Sequence, residues 1–244
     1  MPVRAVLLDL DDTLFDHLGT ARRATAAVLD EEPALAAAGL DVVLAENLRL
    51  VEAMHAGVAA GAISADDVRG ERWRRVLLRF GGDPTRGPAL AARYRSAYAE
   101  REGLVDGAIE LLAALGARGV RRVVVSNNVR SEQEGKVARL GLARHLDGLV
   151  VSADHGICKP DPRLFAIALD VAGATASDAV HFGDAWFNDV LGALGAGLRA
   201  VWLDRTGVAV PPFPHVPTVT SLRPTAPLVD LLLRDVGSGE NGVR

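Results

Sequence analysis

The stretch Ala5-Val-Leu-Leu-Asp9-Leu-Asp11-Asp12-Thr13-Leu-Phe15 constrains this chain more than any other. Four apolar residues that end abruptly in acid predict a strand buried on both faces, as in a parallel sheet, whose carboxyl end opens into a site rather than a simple turn. Side chains alternate along a strand, so the pleat directs Asp9 and Asp11 to one side and Leu10 and Asp12 to the other. Two carboxylates within a few ångströms repel, and each raises the other's pKa unless a cation lies between them. The pair therefore implies a divalent metal, a shared proton, or both. In isolation the same residues also read as an acidic turn in which Asp12 or Thr13 caps the next element. The rest of the chain has to decide.

From about Asp16 to Val105 the sequence is nearly free of β-rich runs and predicts helices. Leu18 to Leu29 and Leu35 to Ala60 are rich in Ala and Leu, with Gly39 as a break. Ser64-x-x-Asp67 resembles a capping box and opens a helix whose Trp73, Val76, Leu77 and Phe80 follow the i, i+3, i+4, i+7 rule. Gly81-Gly82-Asp83-Pro84 closes it, and a further helix runs from about Pro88 to Arg101. At Val105 the texture changes. Helical stretches over Gly107 to Gly119, Ser131 to Gly141, the segment opened by Pro162, and the small residues up to Gly195 alternate with strands over Val120 to Val125, Leu146 to Ser152, Ala179 to Phe182 and Arg199 to Leu203. A short Thr218-Val-Thr strand and a helix near 226 to 234 complete the pattern. Such alternation predicts an α/β fold, a parallel sheet doubly wound in the Rossmann manner. Residues 1–15 and 106–244 then form the core, and 16–105 an inserted all-α domain.

Length and charge exclude several functions. The 244 residues suffice for one large or two modest domains, and 49% apolar with 24% charged residues is ordinary for a globular protein. A net charge of −4 argues against a nucleic acid or anionic membrane as partner, since those demand a concentrated basic surface. No apolar run is long enough to span a bilayer, and no signal-peptide pattern precedes the first strand. The single cysteine, Cys158, forms neither an internal disulfide nor a thiolate cluster, which agrees with a reducing, cytoplasmic setting.

In a parallel sheet the strand carboxyl ends share one edge, and ligands bind there where the strand order reverses. Four strand ends carry polar residues: Asp9 and Asp11 after the first, Ser126 and Asn127 after the second, Lys159 in the loop after the third, Asp184 with Asp189 one turn on after the fourth. Each has a plainer explanation alone. Ser126 serves equally as a turn hydroxyl, Lys159 as a solvated loop lysine, and Gly183-Asp184 as a turn with Asn188 or Asp189 capping the next helix. Their coincidence, in order and at strand ends, favours one shared site. Carboxylates, an ammonium and a hydroxyl fit a hard, oxygen-liganded cation such as Mg²⁺ together with a phosphate. Gly195-Ala-Gly197-Leu-Arg-Ala200 matches a loose dinucleotide pattern, but it follows a helix and enters a strand, the reverse of the required order. His181, within an apolar strand, reads as a core histidine rather than a ligand.

These motifs resemble those of the haloacid dehalogenase superfamily, in its phosphatase branch with a helical cap inserted early. Asp9-Leu-Asp11-Asp12-Thr13-Leu14 matches D-x-D-x-T-L, Ser126 the second motif, Lys159 in Cys-Lys-Pro-Asp-Pro the third, and Gly183-Asp184 with Asn188-Asp189 the fourth. The resemblance implies Asp9 as the nucleophile that forms an aspartyl-phosphate and Asp11 as general acid and then base. It implies phosphoryl oxygens held by Ser126, Asn127 and Lys159, and Mg²⁺ held by Asp9, Asp184, the main-chain carbonyl of Asp11 and, with water, Asp189. The expected activity is Mg²⁺-dependent hydrolysis of a small phosphorylated metabolite by a monomer or homodimer. Asp11 favours phosphate chemistry over carbon–halogen cleavage, because the dehalogenases lack a carboxylate two residues past the nucleophile. Sugar phosphomutases keep both carboxylates and stay open as an alternative. A phospho-accepting receiver, or a non-catalytic metabolite-binding relative, fits less well. The cap should close over the site and read the leaving group, with Trp186 and the loop from Phe15 to Gly19 at its border. Arg22, Arg23, His55, Arg72, Arg74 and Arg75 are candidate contacts.

Overall fold

The computed structural model describes residues 2–59, 65–207, 213 and 215–235. In chain order, strand β1 (Ala5–Leu8) precedes helices α1 (His17–Leu29), α2 (Pro33–Ala38), α3 (Leu40–Ala59), α4 (Ala65–Phe80) and α5 (Gly87–Glu100). A β/α succession comes next: α6 (Ala108–Ala117), β2 (Arg121–Ser126), α7 (Arg130–Arg139), β3 (Gly148–Val151), α8 (Pro162–Ala172), β4 (Ala179–Gly183), α9 (Gly192–Gly195), β5 (Arg199–Leu203), β6 (Thr218–Val219) and α10 (Thr225–Leu232). The chain divides into two compact units, one of residues 1–15 and 104–244 and the other of residues 16–103.

The first unit holds a six-stranded sheet in the order β3-β2-β1-β4-β5-β6, every pairing parallel. This is the expected doubly wound α/β architecture. Strand order reverses between β1 and β4, which pair from Ala5 with Ala179 to Leu8 with Phe182. Burial explains the composition: all four residues of β1 and all five of β4 are inaccessible, as a strand covered on both faces must be. Leu7, Val123 and Val125 pack with Leu164, Phe165 and Ala168 of α8 into one apolar cluster. Asp161 caps α8 by accepting a hydrogen bond from the Arg163 amide at 2.9 Å, and Gly173 ends it in the left-handed region at φ 63°.

β1 stops at Leu8, so the turn and not the pleat places Asp11. The Leu10 carbonyl accepts from the amides of Thr13, Leu14 and Phe15 at 3.4, 2.9 and 2.8 Å, folding the chain tightly back on itself. Asp12 takes φ 63°, a conformation that Asp tolerates better than most residues. The strand expected over Leu146 to Ser152 is trimmed to β3, because Ser152–Asp154 winds into a 3₁₀ turn.

The second unit is all helical. Trp73, Val76 and Leu77 of α4 pack with Leu90, Tyr94 and Ala97 of α5 and with Ala24 and Val28 of α1. The Trp73 stripe therefore faces a core, as its spacing predicts. The capping box expected at Ser64 lies outside the described residues. Of the cap contacts proposed from sequence, Arg22 pairs with Asp41, Arg23 with Asp16, and Arg74 and Arg75 both with Glu71. Arg72 stacks over the Tyr94 ring at 5.2 Å, and its buried Nε has no hydrogen-bond partner. The side chain of His55 lies outside the described residues. No helix among the described residues is long and apolar enough to cross a membrane.

Candidate active site

The carboxyl edge of the sheet collects the residues singled out in the sequence. Asp9 follows β1 directly and is tied to β4 by its amide, which donates to the Phe182 carbonyl at 2.9 Å. Its carboxylate accepts from Lys159 Nζ at 2.6 Å, and the same ammonium donates to Asp189 Oδ1 at 2.7 Å. All three side chains are buried. Removing three charges from water costs several kcal/mol each, so they persist only because each faces an opposite charge.

Asp189 reaches this position through the turn after β4. Trp186–Leu191 is a π-helical turn, in which the Ala185 carbonyl accepts from the Val190 amide at 3.4 Å as well as from the Asp189 amide at 2.7 Å. A wide turn of this kind is rare and recurs at functional sites. The Asp189 carboxylate folds back to accept from the Ala185 amide at 2.9 Å and meets His181 Nε2 at 3.0 Å. Gly183 leaves the room: a Cβ there would lie 2.4 Å from the Asp189 carboxyl carbon. His181 is thus a core histidine whose ring orients a site carboxylate, a task invisible in the strand pattern.

Asp184 directly follows β4, with its main-chain carbonyl accepting from Trp202 Nε1 at 2.7 Å and its carboxylate from the Thr13 hydroxyl at 3.4 Å. One oxygen each from Asp9, Asp184 and Asp189 lie within 4.8 Å of one another. The carboxylate of Asp11 stands outside this trio and accepts instead from Gln133 and Lys136. Ser126 is buried at the end of β2, where its hydroxyl accepts from Gln133 Nε2 at 2.6 Å. Asn127, expected at the phosphate, has both side-chain atoms engaged by the main chain of Lys159, donating to the Lys159 carbonyl at 2.9 Å and accepting from its amide at 2.7 Å. Its side-chain amide therefore holds the lysine loop.

The electrostatics of the edge are uneven. Burial pushes Asp9 up to about 7, against the pull of Lys159 and with the help of Asp189 and Asp11. Burial likewise lifts Asp184 to about 8, with the charges of Asp9, Asp189 and Asp12 adding to it. Burial also acts on Asp189, but Lys159 and His181 overcome it and hold that carboxyl below the usual range. Lys159 shows the same contest: burial disfavours its charge, and Asp189 and Asp9 prevail to hold it above the usual lysine range. One buried ammonium does not offset three carboxylates, and the surplus negative charge of Asp9 and Asp184 is what a cation would balance.

Gln133 and Lys136 escape the motif reading because a polar helix such as Arg130–Arg139 looks like a solvated face. The available signal is their spacing: Gln133, Lys136 and Val137 lie on one side of α7, and all three are buried.

Comparison with known proteins shows the family. The model of the haloacid dehalogenase-like hydrolases matches residues 3–197. The chain is 34% identical to a phosphoserine phosphatase of Thermus thermophilus over 83% of its own length and 89% of the relative's. It is 33% identical to a ribulose-1,5-bisphosphate 5-phosphatase of Halopiger xanaduensis over 82% and 84%. The crystal structure of the HAD-hydrolase YfnB of Bacillus subtilis, bound to magnesium, shares the fold with a TM-score of 0.70 at 22% identity, covering 94% of this chain and all of that one. The chain belongs to the haloacid dehalogenase-like hydrolases.

Proposed function

We propose that the protein hydrolyses a small organic phosphate monoester, with Mg²⁺, by transient phosphorylation of Asp9. The observation that carries this reading is the buried contact of Asp9 with Lys159 beside the Asp9, Asp184 and Asp189 oxygens. The two curated relatives are named as phosphatases, which supports phosphate rather than halide as the product. The donor set is all oxygen and carries surplus negative charge, which fits a small hard dication. Asp9, Asp184, Asp189 and the Asp11 carbonyl would hold it, and when bound it would neutralise charge on the phosphoryl group.

The chain's own residues then account for two steps. Asp9 Oδ attacks phosphorus as the bond to the leaving oxygen breaks, and Asp11 donates its proton to that oxygen. Ser126 donates a hydrogen bond to one phosphoryl oxygen, and the Lys159 ammonium neutralises another, so that an anionic nucleophile can approach an anionic ester. Water next attacks phosphorus, Asp11 takes its proton, and the bond between phosphorus and Asp9 breaks to release inorganic phosphate. Asp9 must be ionised to attack and Asp11 protonated to donate, so the two carboxyls need different surroundings. Their surroundings differ: the Lys159 ammonium favours ionised Asp9 against its burial. The Lys136 and Gln133 donors match the ionised form of Asp11 that takes the proton of water in the second step, so Asp11 has to gain a proton against that contact before the first. Asp11 also disfavours carbon–halogen cleavage, which needs no proton donor at that position.

The test is phosphate release from p-nitrophenyl phosphate with Mg²⁺ and with EDTA, for the wild type and Asp9→Asn. Release should require the metal and vanish in the variant. Unchanged turnover by Asp9→Asn would remove the mechanism.

A further inference from the structure

Helix α7 brings two side chains onto Asp11 that the D-x-D-x-T signature does not anticipate. Gln133 is fully buried and Lys136 is 5% exposed, in a helix otherwise dominated by polar and charged residues. Gln133 Nε2 donates to Asp11 Oδ2 at 2.7 Å and to Ser126 Oγ at 2.6 Å. Lys136 Nζ donates to Asp11 Oδ1, and its ammonium lies 4.8 Å from the centroid of the Phe15 ring. A lysine on a surface helix ordinarily snorkels to water, and burying one costs several kcal/mol unless its charge is matched. Here the match is the carboxylate that the proposed reaction uses to move a proton.

We infer that Gln133 and Lys136 are positioning residues that grip Asp11 by both oxygens and hold it at a fixed distance from Ser126. The inference rests on the phosphatase reading. Each oxygen of Asp11 has its own donor, so the carboxylate has one favoured orientation instead of several. Gln133 bridges Asp11 and Ser126 through a single nitrogen, so the proton donor and the hydroxyl that holds the phosphoryl group are set by one side chain. Phe15 beneath the Lys136 ammonium ties the same grip to the end of the Asp11 turn. The requirement is geometric: as the bond from phosphorus to the leaving oxygen breaks, the electron pair left on that oxygen takes the Asp11 proton, and a misplacement of about 1 Å costs up to about 100-fold in rate.

The experiment uses the full chain with Mg²⁺ and compares p-nitrophenyl phosphate, whose leaving oxygen needs little protonation, with glycerol 3-phosphate, whose leaving oxygen needs a proton. Lys136→Met and Gln133→Ala should each lose about 30- to 100-fold in kcat/KM on the alkyl ester and under about 5-fold on the aryl ester, with the loss in kcat. Lys136→Arg, which keeps the charge, should recover most of the alkyl activity. Gln133→Ala leaves the ion pair intact and reads the role even where Lys136→Met does not fold. Equal losses on both esters, or no loss on either, overturn the positioning role while an active wild type and a dead Asp9→Asn leave the hydrolase reading standing. A wild type inactive on both esters overturns that reading and the positioning role with it.

Discussion

The two edges of one sheet handle charge in opposite ways. At the amino edge, Arg4 pairs with Asp178 at 3.6 Å, and Asp147 accepts from the Arg122 amide and Nε at 2.9 and 3.0 Å and from Arg121 at 3.3 Å. There the acids have enough partners: backbone and side-chain donors from Arg122 outweigh partial burial and hold Asp147 below the usual range. Asp178 is held low as well, chiefly by the Thr175 amide within a capping box. At the carboxyl edge, Asp9 and Asp184 are instead pushed up to about 7 and about 8 by burial and by neighbouring carboxylates, Asp189 and Asp11 for the first and Asp9, Asp189 and Asp12 for the second. The amino edge is built to be stable. The carboxyl edge is left short of positive charge, as a site awaiting a cation and an anionic substrate together would be.

The largest effect should come from Lys159→Met, which leaves Asp9 and Asp189 buried without their ammonium. Breaking one partner of a buried charge cluster typically costs about 3–5 kcal/mol, so a fall in the urea midpoint together with loss of phosphatase activity is expected. A soluble variant with wild-type turnover would erase the contrast between the edges. Next in size is the response to pH without metal. The native carboxyls of Asp9 and Asp184 titrate near 7 and 8 and their unfolded counterparts near 4, so the native state binds more protons between those values. The metal-free protein should therefore lose stability as pH rises from about 4 to about 8, by roughly 5 °C or more in Tm. Mg²⁺ should restore most at the alkaline end, where both carboxylates are ionised. A Tm that rises with pH across that window, with no Mg²⁺ effect, would contradict the surplus of charge.

Smaller effects belong to the other edge. Asp147→Asn removes charge from a well-donated carboxylate and should cost about 1–2 kcal/mol in denaturant unfolding, with kcat/KM unaltered. Arg4→Ala breaks a pair whose arginine side chain is 67% exposed, and should cost at most about 0.5 kcal/mol. Either variant impairing catalysis more than stability would mean that the two edges are coupled.

Most of the sheet was legible because its strands obey the simplest rule available: a run buried on both faces is apolar until it ends, and its end is polar where a site lies. Asp9, Ser126 and Asp184 were recoverable on that ground and Lys159 and Asp189 from the loops that follow such strands and from the motif resemblance, and the structure gathers the four charged ones about a common centre. The turn after β1 was less legible. A pleat extended through Asp11 gives the same residue the right neighbourhood for the wrong reason, since hydrogen bonds to the Leu10 carbonyl set its course. Side chains on α7 offered only the spacing of Gln133, Lys136 and Val137 as a signal, because Asp11, the partner of the first two, arrives from a turn far away in sequence. The same holds for Asn127, whose amide is occupied by a loop that only tertiary structure brings to it, and for the π-helical turn, which no local spacing announces.

β1 sits in the middle of its sheet, with Ala5 pairing on one side with Arg121 and on the other with Ala179. β1 thus precedes both of its neighbours in the sequence, and its second flank stays open until β4, more than fifty residues beyond β2, has been made. During that interval Ala5-Val-Leu-Leu is an uncovered, strand-forming apolar run, and such pairings at long range are slow to form. Translation stalled between β2 and β4 should therefore yield a nascent chain that chaperones engage and that sticks to its own kind, with Asp9 beside an open flank.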